Sequence, residues 1–494
     1  MSTLFLVGSV DLSEVEKANK LSHNGRTLFD RQVSLSDIDS LLLRLYQDRL
    51  DLSSGWNYET GISLVLYNGR ASFKNNLNEI FKKFFPCFNI VAIDSGDGEG
   101  IGKFYSGLEE EVSVMQDRIK RMSHWMYYRP SKPCSSRMYS MMGHLLTVHR
   151  DGLQNRVPIP RTIRNIDFQS LVRKTLGKDD LFYWQNLSTW EFQAHNLAYT
   201  ELIYCSFLLL KKLSADANAP ISDNKLFLLL LTLESSYHQV NKFHNFKHAI
   251  DVMQATWQLC ERLVDDPLQT LLLCMAAIGH DIGHPGSNNQ LLSQFHSPIA
   301  ENYENHSALE NMHKDFLESI LTQHWPQLLL INSSKKLNKA NLDILTEAIM
   351  ATDMALHEGY VKKLEHSPRN DVIDFATLLP LIIKAADISN VTRPLKISSQ
   401  WACLITFEFA ECAALQNFEE KKAYDLQDDL NCNISLLSPD KLVERFPSIP
   451  NGQIFFIENF AEQFFTEFCT RLPGLDFLID NMETNKKFWL SKRQ

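Results

Sequence analysis

The chain has 494 residues, of which 44% are hydrophobic and 22% charged, a composition typical of a globular protein with two or three domains. The net charge of −10 argues against a nucleic-acid backbone or an anionic membrane as the main partner. The nine cysteines are scattered without a C-x-x-C pair, so we expect reduced thiols of a cytoplasmic or nuclear protein.

The first 127 residues predict a small α/β domain. Three short runs rich in β-branched and aromatic residues alternate with two helical patterns. The runs are TLFLVGS, GISLVLY and FNIVAID, and the helical patterns are LSDIDSLLLRLYQDRL and FKNNLNEIFKKFF. No signal peptide is predicted, because MSTLFLVGSVDLSE has no basic segment and only a short apolar run.

The stretch DSGDGEGIG follows the last of these runs, with glycines at alternating positions. A loop that binds phosphate is one interpretation. The spacing fits neither the Walker nor the dinucleotide-binding pattern, so a flexible loop is the expectation.

A helix that connects domains or dimerises, and then a linker, are predicted next. From Leu108 to Met122, apolar residues recur with heptad-like spacing over about two heptads, which is too short for a coiled coil. The segments RPSKPCSSRMYS and HRDGLQNRVPIPRT are rich in proline, serine and arginine, and indicate a linker over residues 128–165. The expected domains are therefore residues 1–127 and 166–494.

Beyond the linker the sequence predicts helices throughout, so residues 166–494 should form an all-α domain. Eight stretches have helical length and spacing. They are TELIYCSFLLLKKL, KLFLLLLTLESSYHQV, AIDVMQATWQLCERLV, PLQTLLLCMAAIGHD, LDILTEAIMATDMALH, TLLPLIIKAADIS, WACLITFEFAECAAL and FFIENFAEQFFTEFCTRL. The longest apolar run, Leu226 to Leu233, is far short of the about 20 residues that span a bilayer, so it predicts a buried core helix and no membrane.

Histidines are concentrated in one part of this domain. Half of the sixteen lie between residues 238 and 313, and four of them form two pairs with a spacing of four, His244 with His248 and His280 with His284. Residues four apart share a helix face, so each pair could face one cleft. Glycine and proline beside His284 should place it in a turn just past the helix. A single histidine is more often a hydrogen-bonded core or surface residue, but the two pairs together favour a site.

Two aspartates extend the pattern. Asp281 follows His280 at the end of an apolar helix, and Asp387 follows the apolar run IIKAA. A carboxylate in such a place needs a partner, for which a helix cap or an arginine is the alternative to a metal. With His248 these residues could form a site of two histidines and two carboxylates, which suits zinc or another divalent ion of intermediate softness.

Six separated motifs resemble, in order and spacing, the class I cyclic-nucleotide phosphodiesterases of the HD hydrolase superfamily. They are FHNFKHAIDV, GHDIGHPGSNNQLL, ALENMH, ATDMALH, KAADISNVTRPL and NGQIFF. The resemblance covers about residues 185–490, and TLESSYHQVNKFHNF looks like the fungal high-affinity cyclic AMP branch. It implies a mainly α protein, in which a small α/β domain precedes an all-helical HD-type catalytic domain.

The resemblance also implies roles for the motif residues around the metals. Zinc at a first site would be bound by His248, His280, Asp281 and Asp387, and Asp281 would bridge to magnesium or manganese at a second site. His244 would donate a proton to the leaving oxygen. Glu310 would orient His244 or a water, and His284 and His313 would line the phosphate side.

Other matched residues are expected in the substrate pocket. Gln453 would hydrogen-bond the purine, Phe456 and Ile405 would clamp it, and Asn390, Trp401 and Met354 would contribute further contacts. Phe243 replaces a tyrosine and Ala402 a polar residue of many relatives, so base selectivity is not carried over from them.

The function implied by the resemblance is hydrolysis of 3′,5′-cyclic AMP to 5′-AMP, which lowers cyclic AMP signalling. The alternatives are an enzyme that also accepts cyclic GMP, an HD hydrolase of linear nucleotides, and a non-catalytic scaffold that binds cyclic nucleotides. The motif NGQIFF argues against the second of these, and the complete set of ligands and proton donor argues against the third. Whether two copies form a homodimer stays open.

Overall fold

A computed structural model describes residues 2–10, 12–13, 29–51, 61–68, 77–105, 108, 118–126, 159–330, 337–367, 373–416, 434 and 437–493. Within these ranges, a small sheet with its helices occupies the N-terminal part and helices form the remainder. The prediction of a mainly α protein with an N-terminal α/β region is therefore confirmed.

The sheet has four parallel strands in the order β2-β1-β3-β4: β1 (Thr3–Val7), β2 (Arg31–Leu35), β3 (Ser63–Tyr67) and β4 (Ile90–Asp94). Parallel neighbours require crossover connections, and α1 (Ile38–Leu50) and α2 (Leu77–Phe84) lie in two of them. The sequence predicted β1, β3 and β4 but not β2. This edge strand, RQVSL, alternates half-buried with exposed residues and has no apolar run that would reveal it.

The glycine-rich stretch after β4 is a helix, α3 (Gly98–Tyr105), so the expectation of a flexible loop was wrong. The Asp97 side chain accepts a hydrogen bond from the Gly100 N–H at 2.8 Å, which caps the first turn. Ile101 and Phe104 are buried against one face of the sheet. Capping and burial together outweigh the cost of about 1 kcal/mol for each glycine in a helix.

The helices that follow form the main body of the protein. They are α4 (Arg118–Met126), α5 (Arg161–Asn165), α6 (Phe168–Arg173), α7 (Asp180–Leu187), α8 (Tyr199–Asp216), α9 (Asp223–Glu234), α10 (Phe246–Leu263), α11 (Pro267–Gly279), α12 (Asn289–Gln294), α13 (Pro298–Asn302), α14 (Ala308–His324), α15 (Lys339–Met350), α16 (His357–His366), α17 (Phe375–Asp387), α18 (Leu395–Gln416), α19 (Pro439–Arg445), α20 (Ile449–Phe456), α21 (Glu462–Arg471) and α22 (Asp476–Ser491). A π-helical turn, Ile457–Ala461, joins α20 to α21.

The predicted linker is described only in part. Residues 127–158 lie outside the described ranges, and α5 occupies the end of the segment predicted as linker. Residues 109–117 of the heptad-like stretch also lie outside those ranges, whereas its end belongs to α4. The domain boundaries themselves stay a prediction.

One face of the sheet belongs to the same apolar core as the helices. Phe5 of β1 and Val65 of β3 are buried in the cluster that continues through α9, α10 and α11. Tyr46 of α1 lies between two rings, with centroid distances of 4.8 Å to Phe85 and 4.9 Å to Phe168. The N-terminal part and the helical part are therefore packed together without an intervening solvent layer at this contact.

The central helices α10, α11 and α17 pack against one another and carry the candidate site at their ends. Every residue of α11 from Thr270 to Gly279 is buried. A Cβ atom at Gly279 would come within 2.6 Å of Leu317 on α14, so glycine permits the close contact between these helices. This contact brings the end of α11 next to α14.

One described segment, Phe375–Thr392, is long and apolar enough to cross a membrane, with a mean hydropathy of 1.3. It contains α17, and 72% of it is buried inside the protein. Such burial is typical of a core helix.

Candidate active site

Four predicted metal ligands lie together. His248 is in the first turn of α10, His280 and Asp281 follow α11, and Asp387 ends α17. Asp387 Oδ1 lies 3.1 Å from His248 Nε2 and 3.3 Å from His280 Nε2. Asp281 Oδ2 lies 3.0 Å from His280 Nε2 and 3.7 Å from His248 Nε2.

Local sequence features place these ligands. The Asn245 side chain accepts hydrogen bonds from the N–H groups of Lys247 and His248, which fixes the start of α10. After α11 the chain turns at Gly283, which has a left-handed φ of 72° and donates to the Ser236 carbonyl at 2.9 Å. His284 follows in this turn, as the sequence predicted.

The donor set fits a cation. His280 Nδ1 lies 2.8 Å from the Ala277 carbonyl oxygen and donates to it, so Nε2 presents a lone pair to the two aspartates. Among the described residues, neither His280 Nε2 nor Asp281 Oδ2 has a hydrogen-bond partner, although both are buried. A lone pair facing carboxylate oxygens at these distances requires positive charge between them.

The pKa shifts within the cluster also indicate a bound positive charge. Burial lowers the pKa of His280, but Asp281 and Asp387 outweigh it and raise that pKa well above its usual value. Burial would raise the pKa of Asp387, but His248 and His280 hold it below the usual range. The cluster therefore favours a bound positive charge.

His244 forms a separate unit with Glu408 of α18. Glu408 Oε1 accepts from His244 Nδ1, and Oε2 accepts from the N–H groups of Phe243 and His244 at 2.8 and 3.1 Å. Burial lowers the pKa of His244, but Glu408 and Asp281 raise it to about 9. Burial raises the pKa of Glu408, but His244 lowers it to about 2. The pair is therefore an imidazolium and a carboxylate at neutral pH, with His244 Nε2 left for another partner.

His284 stacks on His244, with centroids 4.1 Å apart and an angle of 19° between the rings. Its Nδ1 accepts from the Gly286 N–H at 3.0 Å. Burial and the charge on His244 lower the pKa of His284 well below its usual value. A neutral ring thus lies against a charged one.

The structure corrects one of the two roles expected for Glu310, the orientation of His244, whereas the orientation of a water stays a prediction. Its carboxylate accepts from the Asn289 amide at 2.9 Å, and Asn289 in turn accepts from the Leu309 N–H. The carboxylate that holds His244 is Glu408 instead, because α18 rather than the start of α14 faces that ring. Burial and Asp353 raise the pKa of Glu310 to about 7.

His313 of α14 does join the metal-ligand cluster. Its Nδ1 donates to the Ile282 carbonyl at 2.6 Å, and its Nε2 lies 3.9 Å from Asp281 Oδ1. Burial lowers the pKa of His313 to about 4. A neutral ring with a free Nε2 lone pair therefore faces the outer oxygen of Asp281.

Trp401 packs beside the candidate metal ligands. Its side chain is fully buried and its ring packs against His195, Phe243 and His248, with centroid distances of 3.9, 5.4 and 5.6 Å. Contact of Trp401 with substrate stays a prediction.

The predicted base-binding residues lie on elements around this cluster. Gln453 and Phe456 are three residues apart on α20 and therefore share a face. Among the described atoms, Gln453 Oε1 is buried without a partner, and the Phe456 ring is half-buried at 5.6 Å from Phe460. α20 packs against α18, which carries the half-buried Ile405.

Two further expected pocket residues lie in short 3₁₀ segments. Met354 is half-buried in Met354–Leu356, and Asn390 lies in Ile388–Thr392, where its side chain accepts from the Val391 N–H at 3.0 Å. Contacts of these side chains with substrate stay a prediction.

Two contributors were not anticipated from the sequence. Glu408 stands in the mostly apolar stretch TFEFAEC together with Glu411, and carboxylates in an apolar helix are a signal that could have found it. Asn241 donates from Nδ2 to the carbonyls of His244 and His284, at 2.8 Å in each case. Nothing in the local sequence distinguishes Asn241 from an ordinary loop asparagine.

The helical core joins two histidines and two aspartates beside a histidine–glutamate pair, an arrangement that fits a metal-dependent hydrolase. Residues 243–482 match the profile of the 3′5′-cyclic nucleotide phosphodiesterase family. The chain is 45% identical to 3′,5′-cyclic-nucleotide phosphodiesterase 2 of Saccharomyces cerevisiae, over 100% of both chains. It therefore belongs to the 3′,5′-cyclic-nucleotide phosphodiesterase family, whose members use divalent metal ions.

A further relative and a solved structure support membership of the same family. The chain is 26% identical to the high affinity cAMP-specific and IBMX-insensitive 3′,5′-cyclic phosphodiesterase 8 of Drosophila melanogaster, over 61% of this chain and 34% of the relative. Its fold is similar to the crystal structure of yeast caPDE2, with a TM-score of 0.77, 26% identity and 100% of both chains covered. The similarity to the yeast proteins thus includes the N-terminal part.

Proposed function

We propose that this phosphodiesterase hydrolyses 3′,5′-cyclic AMP to 5′-AMP, with His244 as the general acid. The observation that carries the acid role is the Glu408 clamp on Nδ1 of His244, which holds the ring as an imidazolium with Nε2 available. Water attacks phosphorus and loses a proton to solvent, the P–O3′ bond breaks, and the Nε2 proton of His244 passes to O3′, after which His244 is reprotonated from solvent. An acid that holds its proton at neutral pH makes this alkoxide a workable leaving group.

The metal centre is proposed to hold zinc on His248, His280, Asp281 and Asp387, a donor set of nitrogen and oxygen that suits this ion. Asp281 has a second oxygen, directed toward His313, that would face a harder ion such as magnesium or manganese. Such ions supply Lewis-acid activation of water and of the phosphoryl oxygens.

Gln453 and Phe456 support recognition of a purine base, and the preference for cyclic AMP is proposed from the family resemblance. A glutamine amide can present a donor and an acceptor together to the edge of a purine, and an aromatic face can stack on it. The Drosophila relative is named as cAMP-specific, but a relative from Dictyostelium discoideum, 28% identical over 62% of this chain, is named a cGMP-specific phosphodiesterase. An enzyme that accepts both nucleotides is therefore the second candidate.

Hydrolysis of cyclic AMP and cyclic GMP by the purified chain, with zinc and magnesium supplied, tests this proposal. We expect 5′-AMP as the product and a kcat/KM for cyclic AMP at least about tenfold higher, a difference within reach of pocket discrimination. Equal kcat/KM values for the two nucleotides would support the second candidate.

A further inference from the structure

The backbone around the two reacting histidines is held by one buried side chain. Asn241 is 2% exposed, and its Nδ2 donates to the carbonyls of His244 and His284, which belong to different segments of the chain. The spacing between these stacked rings therefore depends on the orientation of the Asn241 amide.

That orientation is fixed from outside the catalytic motifs. Arg118, the first residue of α4, donates from Nη2 to Asn241 Oδ1 at 2.7 Å. With its oxygen held by this contact, the amide must direct its nitrogen at the two carbonyls. Arg118 lies well before residues 243–482, the part of the chain that matches the family profile.

The same guanidinium is anchored to α18. Arg118 Nε lies 3.3 Å from Glu411 Oε2, and the Glu411 side chain is buried. Glu411 is one turn after Glu408, which holds the His244 ring. The planar fork of an arginine can bind an amide oxygen and a carboxylate at once, which a lysine ammonium on its flexible stem does less well.

The loop that follows His284 packs against the guanidinium of Arg118. Gly286 has a left-handed φ of 79°, and a Cβ atom there would lie 2.2 Å from Arg118 Nη2. The Gly286 N–H donates to His284 Nδ1, and its carbonyl accepts from Cys412 Sγ at 3.2 Å. Removal of the guanidinium would therefore leave the His284 loop without its packing partner on this side.

We infer that Arg118 is a positioning residue for the hydrolysis, acting through Asn241 on His244 and His284 without touching substrate. The inference rests on the proposed role of His244 as general acid. Because a displacement of about 1 Å in a reacting group can cost about a hundredfold in rate, a looser pair of histidines should slow the chemical step. Substrate binding at the base pocket should be affected much less.

The test is Arg118→Met in the full chain, with Arg44→Met as a matched control. Arg44 also lies in the N-terminal part and pairs with a carboxylate, Asp48, but that pair belongs to α1 alone. For Arg118→Met we expect kcat for cyclic AMP to fall by about tenfold or more, with KM changed by less than about threefold. For Arg44→Met we expect no change in either constant.

Three further measurements distinguish positioning from a loss of folding. A phosphodiester with a 4-nitrophenolate leaving group needs no proton, so its turnover by Arg118→Met should fall far less than that of cyclic AMP. Arg118→Lys keeps the charge and should show an intermediate loss. In combination with Asn241→Ala, Arg118→Met should add no further loss, since both act on the same carbonyls.

A kcat for cyclic AMP unchanged in soluble Arg118→Met would overturn the inference. So would equal losses on both substrates, or fully additive losses with Asn241→Ala. Failure of the acid role itself is separately visible, because His244→Ala would then lose activity equally on both leaving groups.

Discussion

At the scale of single residues, Glu408 makes the contact with His244 that the family resemblance had suggested for Glu310. Glu408 touches the His244 ring and both N–H groups around it, whereas Glu310 is bound to Asn289. Glu408 places a negative charge next to His244, whereas burial and Asp353 raise the pKa of Glu310 to about 7. Glu408, with a further contribution from Asp281, explains why the half-buried His244 holds a proton, whereas Glu310 makes no contact with that ring.

Glu408→Gln should shift the pH profile of kcat. His244 must be protonated to act, so activity is present below its pKa and lost as pH rises through it. Glu408 raises this pKa to about 9, so the variant should lose activity at a lower pH, toward the ordinary value of about 6.5. The measurement is the steady-state rate of cyclic AMP hydrolysis as a function of pH, from about pH 6 to about pH 10.

Glu310→Gln is the matched control for that experiment. Its alkaline limit should coincide with that of the unaltered enzyme, because Glu310 makes its hydrogen bond to Asn289. If Glu310→Gln shifted the alkaline limit of activity and Glu408→Gln did not, Glu310 would be the carboxylate that keeps His244 protonated.

The metal ligands yield a second residue-level prediction. Asp281→Ala and Asp387→Ala should each lose bound metal and nearly all activity, because each removes one of four donors and leaves two buried histidines facing less negative charge. Elemental analysis of the purified variants is the measurement. Asp374→Asn, which alters the cap of α17 at its other end, should keep full metal content. Metal content equal to the unaltered enzyme in either alanine variant would refute the ligand assignment.

At the scale of elements, α20 presents two adjacent phenylalanines with different surroundings. Phe456 shares a face with Gln453, whereas Phe455 is 60% exposed. Phe456→Ala should raise KM for cyclic AMP by roughly ten- to a hundredfold, because base stacking contributes about 1–3 kcal/mol. Phe455→Ala should leave KM unchanged. If KM for cyclic AMP rose equally in both variants, or only in Phe455→Ala, Phe456 would be excluded as the stacking residue.

Helical elements and the cluster of candidate metal ligands were predictable because their signals are local. Spacings of four residues and the apolar run before Asp281 are visible in a single stretch of sequence. The strand β2 was missed because an edge strand buries little, and α3 was missed because Asp97 and Phe104 outweigh its glycines. The partnership of Arg118 with Asn241, 123 residues apart, exists only after folding.

At the scale of the whole molecule, the N-terminal sheet and the helical part share one apolar core. Cys87 donates its N–H to the Ser235 carbonyl at 3.0 Å, and Ser235 donates its hydroxyl to the Phe84 carbonyl at 3.3 Å. These contacts join the end of α2 to the segment that leads into the site. The N-terminal part is therefore expected to contribute to the stability of the catalytic helices.

Tyr46 tests that coupling. Its ring lies between Phe85 and Phe168, and its buried hydroxyl has no hydrogen-bond partner among the described residues. Tyr46→Ala should lower the free energy of unfolding by about 3–5 kcal/mol, whereas Tyr46→Phe should change it by less than about 1 kcal/mol. Denaturant unfolding monitored by tryptophan fluorescence measures both. Equal stabilities for the alanine and phenylalanine variants would show that this ring is not part of a shared core.

The central claim, that His244 donates the proton to the leaving oxygen, is tested most directly by His244→Ala on two substrates. With cyclic AMP, kcat should fall by about 10²–10⁴, the usual range for general acid catalysis, while metal content stays unchanged. With a phosphodiester whose 4-nitrophenolate leaving group needs no proton, kcat should fall far less. An equal loss on both substrates would contradict the assignment of His244 as the acid.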